Sequence, residues 1–153
     1  MTTIQQHRYQ RGITSVEFSI IGTLLFILLF GVIEFGRLLS TFTVLGESTR
    51  RAARLATVCP VNDAGITNTG LFGSLPGFTS TNLSVQYLKD NGTQVTDLVG
   101  DYNSIAYVRV QVTGYTIPLA IPLINPSVTA PGFPVTLPRE SLGVTPLATT
   151  PCS

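Results

Sequence analysis

One glutamate stands directly before the most apolar stretch of the chain and needs a chemical explanation. Glu17 follows Gly12 by five residues and precedes the uncharged run Phe18–Ile33. A charged side chain inside a bilayer costs roughly 2.5–3.5 kcal/mol on insertion scales. We therefore expect the carboxylate either to be paired or to have a task. The alternative explanation of Glu17 lies within its own helix. Thr14–Glu17 matches a capping box, and an acidic side chain in the first helical turn interacts favourably with the helix dipole.

The sequence carries no recognisable catalytic or metal-binding motif. Its only histidine, His7, lies in the N-terminal tail, which excludes a histidine-dependent triad in the C-terminal half. Glycine motifs of nucleotide-binding proteins and of serine hydrolases do not occur. The carboxylates of Asp90, Asp97 and Asp101 lack the spacing of a calcium loop. We expect neither an enzyme nor a cofactor or metal site.

Composition favours a membrane-associated chain. Charged residues make up 11% of the 153 residues, and the mean hydropathy is +0.36, whereas soluble domains are about 25% charged. Residues 1–59 carry six arginines and three glutamates, while residues 60–153 carry three cations and five carboxylates. No basic stripe alternates with aromatic side chains, so we expect no nucleic-acid partner.

The apolar run predicts a transmembrane helix. It spans roughly 24 Å, and the flanking segments Ile13–Val16 and Phe35–Leu39 extend it to the roughly 30 Å of a bilayer core. Glu34 and Arg37 are three residues apart and can pair near one interface. Arginines before the run favour a cytoplasmic N-terminus, although those after it weaken that orientation. A cleaved signal peptide and a buried core helix are the alternatives.

The helical pattern continues beyond the apolar run, which predicts a stem helix over residues 13–59. Glu47 can pair with Arg50 and Arg51, and Cys59-Pro60 ends the helix because proline disfavours helical geometry in the residue before it. We expect the apolar seam to pack either on neighbouring subunits or on the chain's own C-terminal domain. The seam consists of Leu38, Phe42, Leu45, Thr49, Ala52 and Ala56.

An alternating pattern in the C-terminal half predicts a small antiparallel sheet. We expect strands at Leu83–Lys89, at Thr93–Val99 after an Asn91-Gly92 hairpin turn, and at Ile105–Thr113. Tyr115–Ile124 contains two prolines and is expected at an edge. Residues 125–153 are expected to be irregular.

The two cysteines bracket this half of the chain. In an oxidising compartment, Cys59 and Cys152 are expected to form a disulfide. In the chain-entropy model, closing a loop of this size stabilises the fold by about 4–5 kcal/mol. Two unpaired thiols are the alternative. The sequence thus predicts an α+β fold, with a long transmembrane and amphipathic helix followed by a small antiparallel β-sheet domain at residues 60–153.

The region around Gly12 and Glu17 resembles a known family. A basic leader, a glycine, four residues, a glutamate and an apolar helix look like the processing site of type IV pilin-like proteins. The stretch VEFSIIGTLLFILLFGVIEFGRLL, followed by ESTRRAARLA, resembles the TadE-like family of tight-adherence pilus assembly proteins. Members often have a proline early in the apolar run, where this chain has Gly22-Thr23. The resemblance implies a pilin-like fold and a minor pseudopilin.

That resemblance also implies roles for individual residues. A prepilin peptidase would remove a cytoplasmic leader, residues 1–12, between Gly12 and Ile13. Glu17 would then act in subunit assembly by pairing with the terminal ammonium of a neighbour. An ordinary loop glycine is the alternative for Gly12. Glu34 and Arg37 are assigned to pairing within the helix.

The partners implied are the peptidase, other pilins and pseudopilins, the inner-membrane assembly platform and the membrane itself. The chain would lie in the bacterial inner membrane as a single-pass protein with an extracytoplasmic C-terminal domain, and a surface filament is a further location. The alternative function is an uncleaved, single-span anchor that carries an extracytoplasmic binding or scaffold module. A bitopic enzyme is a weaker third hypothesis.

Overall fold

The computed structural model of the chain describes residues 10–121, 126–144 and 152. The chain divides into two compact units, Met1–Leu38 and Leu39–Ser153. Helix α1 (Gln10–Val58) begins in the first unit and ends in the second. A long N-terminal helix followed by antiparallel strands confirms the predicted α+β class.

Both ends of α1 bear on the sequence predictions. The helix ends at Val58, as the Cys59-Pro60 step predicts. Its start at Gln10 lies upstream of Ile13, because a single glycine costs only about 1 kcal/mol and does not stop a helix. Thr14 is therefore inside the helix and does not cap it, so the capping-box interpretation is wrong for this chain.

The C-terminal unit adds a short helix and five strands to the end of α1. Helix α2 spans Ala64–Gly70. The strands are β1 (Leu83–Leu88), β2 (Tyr107–Val112), β3 (Thr116–Pro118), β4 (Ser127–Thr129) and β5 (Val135–Pro138). Three-residue 3₁₀ turns precede β1, at Ser80–Asn82, and β2, at Tyr102–Ser104.

The main sheet has the order β1-β2-β5, with both neighbouring pairs antiparallel. Val108, Val110 and Val112 of the central strand are at most 4% exposed, and the residues between them are not buried. This alternation confirms that one face of β2 lies on the core. Strands β3 and β4 form a separate two-stranded sheet.

The predicted strand Thr93–Val99 is wrong. The Asn91-Gly92 turn does form, and the Gly92 amide donates to the Lys89 carbonyl at 2.9 Å. The returning chain makes only an isolated bridge between Leu88 and Gln94. The cause is Asp97, whose carboxylate accepts the backbone amides two and three residues later at 3.0 and 2.9 Å and so bends the chain.

The expectation of an irregular C-terminal stretch is also wrong in part. Ser127–Thr129 and Val135–Pro138 are strands, and they pair with β3 and β2 respectively. Both are short edge strands, where proline at a strand end is tolerated. The edge position expected within Tyr115–Ile124 is confirmed by β3, which ends at Pro118. Residues 122–125, 145–151 and 153 lie outside the described residues.

The part of α1 that belongs to the second unit, residues 39–58, supplies one side of the core of that unit. Its buried positions recur every three or four residues and are Thr41, Leu45, Ser48, Thr49, Ala52, Ala53, Ala56 and Thr57. At Gly70 a Cβ atom would lie 2.6 Å from the Cβ of Ala52, so α2 can approach this closely only with a glycine there. Packing on the chain's own domain is therefore confirmed for the seam from Leu45 to Ala56.

Candidate functional site on helix α1

The first part of α1 exposes its apolar side chains on all sides. From Ile13 to Phe35 the large apolar residues are 50–78% exposed. Among the described residues, one helical segment, Ile13–Val58, is long and apolar enough to cross a membrane, with a mean hydropathy of 2.5 in its most apolar stretch and none of that stretch buried. A buried core helix is thereby excluded. The segment has the properties of a single-pass membrane anchor.

Glu17 lies between Val16 and Phe18 on this exposed surface. Its helical neighbourhood includes hydroxyl groups that are satisfied within the helix. Ser19 Oγ donates to the Ser15 carbonyl, and Thr23 Oγ1 donates to the Ser19 carbonyl, each at 2.8 Å. Such bonds to the preceding turn let hydroxyl side chains enter an apolar medium without an unpaired donor. The carboxylate of Glu17 is therefore the chemically distinctive group of this surface.

The bond between Gly12 and Ile13 lies near the beginning of α1. The helix begins only two residues earlier, at Gln10, and Ile13 is 71% exposed. The leader residues 1–9 lie outside the described residues.

Glu34 and Arg37 form a two-point ion pair at the far end of the apolar run. Arg37 Nη2 lies 2.6 Å from Glu34 Oε1, and Arg37 Nε donates to Oε2 at 3.1 Å. A forked guanidinium–carboxylate pair is geometrically the strongest kind of side-chain ion pair. The pair leaves this end of the segment without net charge.

Glu47, further along α1, also pairs as predicted. Its carboxylate lies 3.2 Å from Arg51 Nε and 4.0 Å from Arg50 Nη1. The Arg51 guanidinium also lies 4.1 Å from the centre of the Phe72 ring, in cation–π geometry. The Phe72 amide in turn donates to Ser48 Oγ at 3.0 Å. These contacts bind the loop after α2 to the helix.

The C-terminal end of α1 is capped by a distant part of the chain. The Thr57 carbonyl accepts the amides of Glu140 and Leu142 at 3.2 and 3.1 Å, and the Val58 carbonyl accepts the Gly143 amide at 2.6 Å. The last carbonyls of a helix otherwise have no intrahelical partner. Residues 140–143 supply these partners from just beyond β5.

A disulfide and one carboxylate reinforce this end of the helix. Cys59 and Cys152 are bonded, with their Cα atoms 5.7 Å apart, and they are separated by 93 positions in sequence. Asp63 accepts the Cys152 amide at 3.0 Å and the Gly65 amide, at the start of α2, at 2.7 Å. These two hydrogen bonds, the one from Cys152 first, lower the pKa of Asp63.

Sequence reasoning missed the position of Asp63. The available signal was an aspartate immediately before a helical segment, which is the N-cap preference. Its contact with Cys152 has no local signal, because 89 positions separate the two residues. Within the described parts of the chain, no group of three or more histidine, cysteine, aspartate or glutamate side chains could hold a metal ion.

Comparison with known proteins addresses the N-terminal segment. The sequence model of the TadE-like protein family matches residues 12–54. No curated protein and no solved structure matches the chain. The matched range begins at Gly12 and includes Glu17, the Glu34–Arg37 pair and Glu47 with its arginine partners. The resemblance to TadE-like proteins predicted from the sequence is thus confirmed for residues 12–54.

Proposed function

We propose that this chain is a minor pseudopilin in the assembly of a tight-adherence, type IV pilus-like filament. One observation carries the proposal. In a segment that matches the TadE-like family, Gly12, Ile13 and Glu17 stand at the beginning of an exposed apolar helix. An ordinary membrane anchor needs neither the glycine nor the glutamate at these positions.

Cleavage between Gly12 and Ile13 would give Glu17 its task. The new terminal ammonium of Ile13 would lie four residues, about one helical turn, before the carboxylate. In a filament, the ammonium of one subunit and the Glu17 carboxylate of its neighbour neutralise each other. Opposite charges offset the desolvation that each would otherwise suffer in an apolar helix bundle.

The C-terminal unit would lie outside the cytoplasm in this proposal. The disulfide between Cys59 and Cys152 supports that side of the membrane, because such bonds persist in oxidising compartments. The proposed partners are a prepilin peptidase, the other pilins and pseudopilins, and the assembly platform of the inner membrane. The chain would act structurally and carry out no reaction of its own.

N-terminal sequencing and the intact mass of the membrane-extracted protein test the cleavage. We expect a 141-residue chain beginning at Ile13, which is 153 residues minus 12. Gly12→Val should leave the leader attached. Gly22→Val is the matched control, because a Cβ at Gly22 meets nothing within 4 Å, and it should be processed normally. A wild-type chain beginning at Met1 contradicts the proposal and favours an uncleaved anchor, and a start beyond Leu39 indicates a signal peptide.

Glu17→Gln tests the assembly role separately, because it removes the charge and keeps the shape of the side chain. We expect a processed, membrane-bound protein that no longer co-purifies with filament components. Glu47→Gln is the control, since that carboxylate pairs within its own helix. Normal co-purification of the Glu17→Gln chain would show that the carboxylate has no part in assembly.

A further inference from the structure

The C-terminal unit contains two long stretches without a charged residue. They are residues 64–88 and 110–138, which are 25 and 29 residues long, and every charged side chain of residues 60–153 lies outside them. Because about one residue in four is charged in a soluble domain, such stretches need a physical reason. Strands β1 and β2 lie within them and face the core on one side. The core does not account for the parts that are exposed.

The exposed parts of both stretches reach the end at which the chain enters the C-terminal unit. The unit begins at Leu39, and residues 39–46 of α1 carry no charge either. A Cβ atom at Gly73 would lie 3.4 Å from Val44 Cγ1. The ring centre of Phe133, in the turn between β4 and β5, lies 5.6 Å from that of Phe42. We call this the proximal end of the unit.

Hydrogen bonds join the β3–β4 sheet to the same end. The Val112 amide donates to the Gly132 carbonyl at 2.7 Å, and the Ala130 amide donates to the Tyr115 carbonyl at 2.9 Å. The Tyr115 hydroxyl donates to the Pro76 carbonyl at 3.1 Å, which holds the loop after α2 beside this sheet. Three described segments therefore form one uncharged surface, which we call the proximal surface: residues 73–79, 113–121 and 126–134.

The opposite end of the unit carries charged residues. The Arg139 amide donates to the Ala106 carbonyl at 2.9 Å, which joins the end of β5 to the start of β2. The Glu140 amide donates to the Thr57 carbonyl, and Thr57 is 18 residues, about 27 Å of helix, beyond the start of the unit. Lys89 follows directly after β1, whose end pairs with the start of β2. The proximal surface is therefore distinguished from the rest of the unit by its lack of charge.

The proximal surface is apolar and poor in hydrogen-bond donors. Val128 and Ile121 are 39% and 41% exposed, and all three residues of β4 are exposed. Prolines recur along it, and a proline has no amide hydrogen that loses water when a surface is covered. They are Pro76, Pro118, Pro126, Pro131 and Pro134. Such a surface loses little on leaving water.

The backbone at Phe133 is held in an unusual conformation. Its φ angle is +43°, in the left-handed region that a bulky side chain rarely adopts. Such residues persist only where the surrounding structure fixes them, and they concentrate at functional positions. Here the turn places the aromatic ring of Phe133 beside Phe42 at the proximal end.

We propose that the proximal surface lies on the lipid bilayer, at the level of the headgroups beside α1. The unit begins at Leu39, where the apolar segment of the helix ends, so the surface continues the membrane anchor without a gap in sequence. Phe42 is three residues, about 5 Å, further along the helix, and the headgroup layer on each side of the hydrocarbon core is roughly 5–8 Å thick. Apolar and aromatic side chains bind at this depth. The contact requires the anchor, but neither cleavage nor a filament.

Quenching by brominated lipid tests the contact in the full-length chain. The chain has no tryptophan, so each substitution introduces a single indole fluorophore. Phe133→Trp and Val128→Trp are placed in phosphatidylcholine vesicles with and without bromine on the acyl chains. Because interfacial groups are buried roughly 5–10 Å into the boundary between headgroups and acyl chains, we expect bromine to lower both signals at least about twofold.

Two further variants give the reference values. Tyr107→Trp is the matched control, because Tyr107 is 37% exposed, close to the 39% of Val128, and lies at the start of β2 at the opposite end. Its fluorescence should be unchanged by bromine. Phe30→Trp, within the apolar run, should be quenched strongly and reports insertion of the helix.

Three outcomes would overturn the proposal. The first is that bromine leaves Phe133→Trp and Val128→Trp unchanged while it quenches Phe30→Trp. The second is equal quenching of Tyr107→Trp, which would show that the unit has no preferred face toward the membrane. The third is protection of Phe133→Trp from the water-soluble quencher acrylamide without quenching by bromine, which would assign the surface to a contact with another protein chain.

Added charge gives an independent test. Ser127→Asp with Thr129→Asp places two carboxylates on the exposed strand β4. Because carboxylates are costly in an apolar boundary, the bromine effect on Phe133→Trp should disappear. Gln94→Asp with Thr96→Asp is the matched control, since both residues are exposed and Gln94 bridges to Leu88, beside Lys89. An undiminished effect in the β4 variant would contradict the contact.

The contact with the bilayer and the pseudopilin role fail separately. N-terminal sequencing of the same preparations reports processing. A processed chain whose Phe133→Trp signal is insensitive to bromine contradicts the bilayer contact alone. An unprocessed chain with the expected quenching contradicts the pseudopilin role alone. Absence of quenching in Phe30→Trp would show that the helix does not enter the membrane and would overturn both.

Discussion

Removal of the Cys59–Cys152 bond is expected to destabilise the C-terminal unit strongly. Cys152→Ser is the appropriate change, because Cys59 is fully buried and its replacement would add a packing defect. The bond closes a loop across 93 positions. The chain-entropy model assigns about 4–5 kcal/mol to a loop of this size. Since whole domains are stable by about 5–15 kcal/mol, much of the stability depends on this bond.

Urea denaturation of the full chain in detergent measures the loss. Four of the five tyrosines lie in the C-terminal unit, and the chain has no tryptophan, so tyrosine fluorescence follows that unit and not the apolar helix. With a urea dependence of roughly 2 kcal/mol/M, the midpoint should fall by about 2 M. Reductant should move the wild-type midpoint to that of Cys152→Ser and leave the variant unchanged. A fall of less than about 0.5 M would refute the reasoning.

Two further predictions concern the same unit. Leu45→Ala should reduce the unfolding free energy of this unit by about 2–5 kcal/mol, because Leu45 is fully buried. Leu39 is half-exposed, so the control Leu39→Ala should change that free energy by no more than about 0.5 kcal/mol. Equal urea midpoints for the two variants would contradict the assigned core. The lowered pKa of Asp63 means that its carboxylate stabilises the fold above the unfolded value of 3.8, and that this contribution is lost as the pH falls through the lower folded value. Asp63→Asn should therefore weaken the fall in urea midpoint between pH 5 and pH 2, and an identical pH profile would exclude this role.

Local patterns in the sequence predicted the helix and the central strand. The uncharged run, the proline after Cys59 and the alternation along β2 each depend on near neighbours, and each has the expected outcome. Thr93–Val99 has the composition of a strand, but the carboxylate of Asp97 captures two nearby amides and bends the chain. The strands β4 and β5 are only three and four residues long, too short for a periodic signal, and distant partners define them.

In the candidate site, too, features that depend on near neighbours were predictable and features that depend on distant partners were not. The Glu34–Arg37 pair followed from its three-residue spacing and forms in the structure. The roles of Gly12 and Glu17 are the ones that the family resemblance implies, and they stay predictions. The cap of α1 by residues 140–143 and the contact of Asp63 with Cys152 join parts of the chain more than 80 positions apart. Such contacts depend on the whole topology, and no local pattern indicates them.

The cap at the end of α1 has a consequence for biosynthesis. The carbonyls of Thr57 and Val58 receive their partners from residues 140–143, and Cys59 receives its partner from Cys152. Because a chain is made from its N-terminus, the helix leaves the ribosome long before these groups exist. A nascent or prematurely terminated chain therefore exposes an unfinished helix end and a free thiol. Only a chain translated beyond Cys152 can bury both, which gives the cell a physical means of distinguishing chains that contain this segment from shorter fragments before they are used.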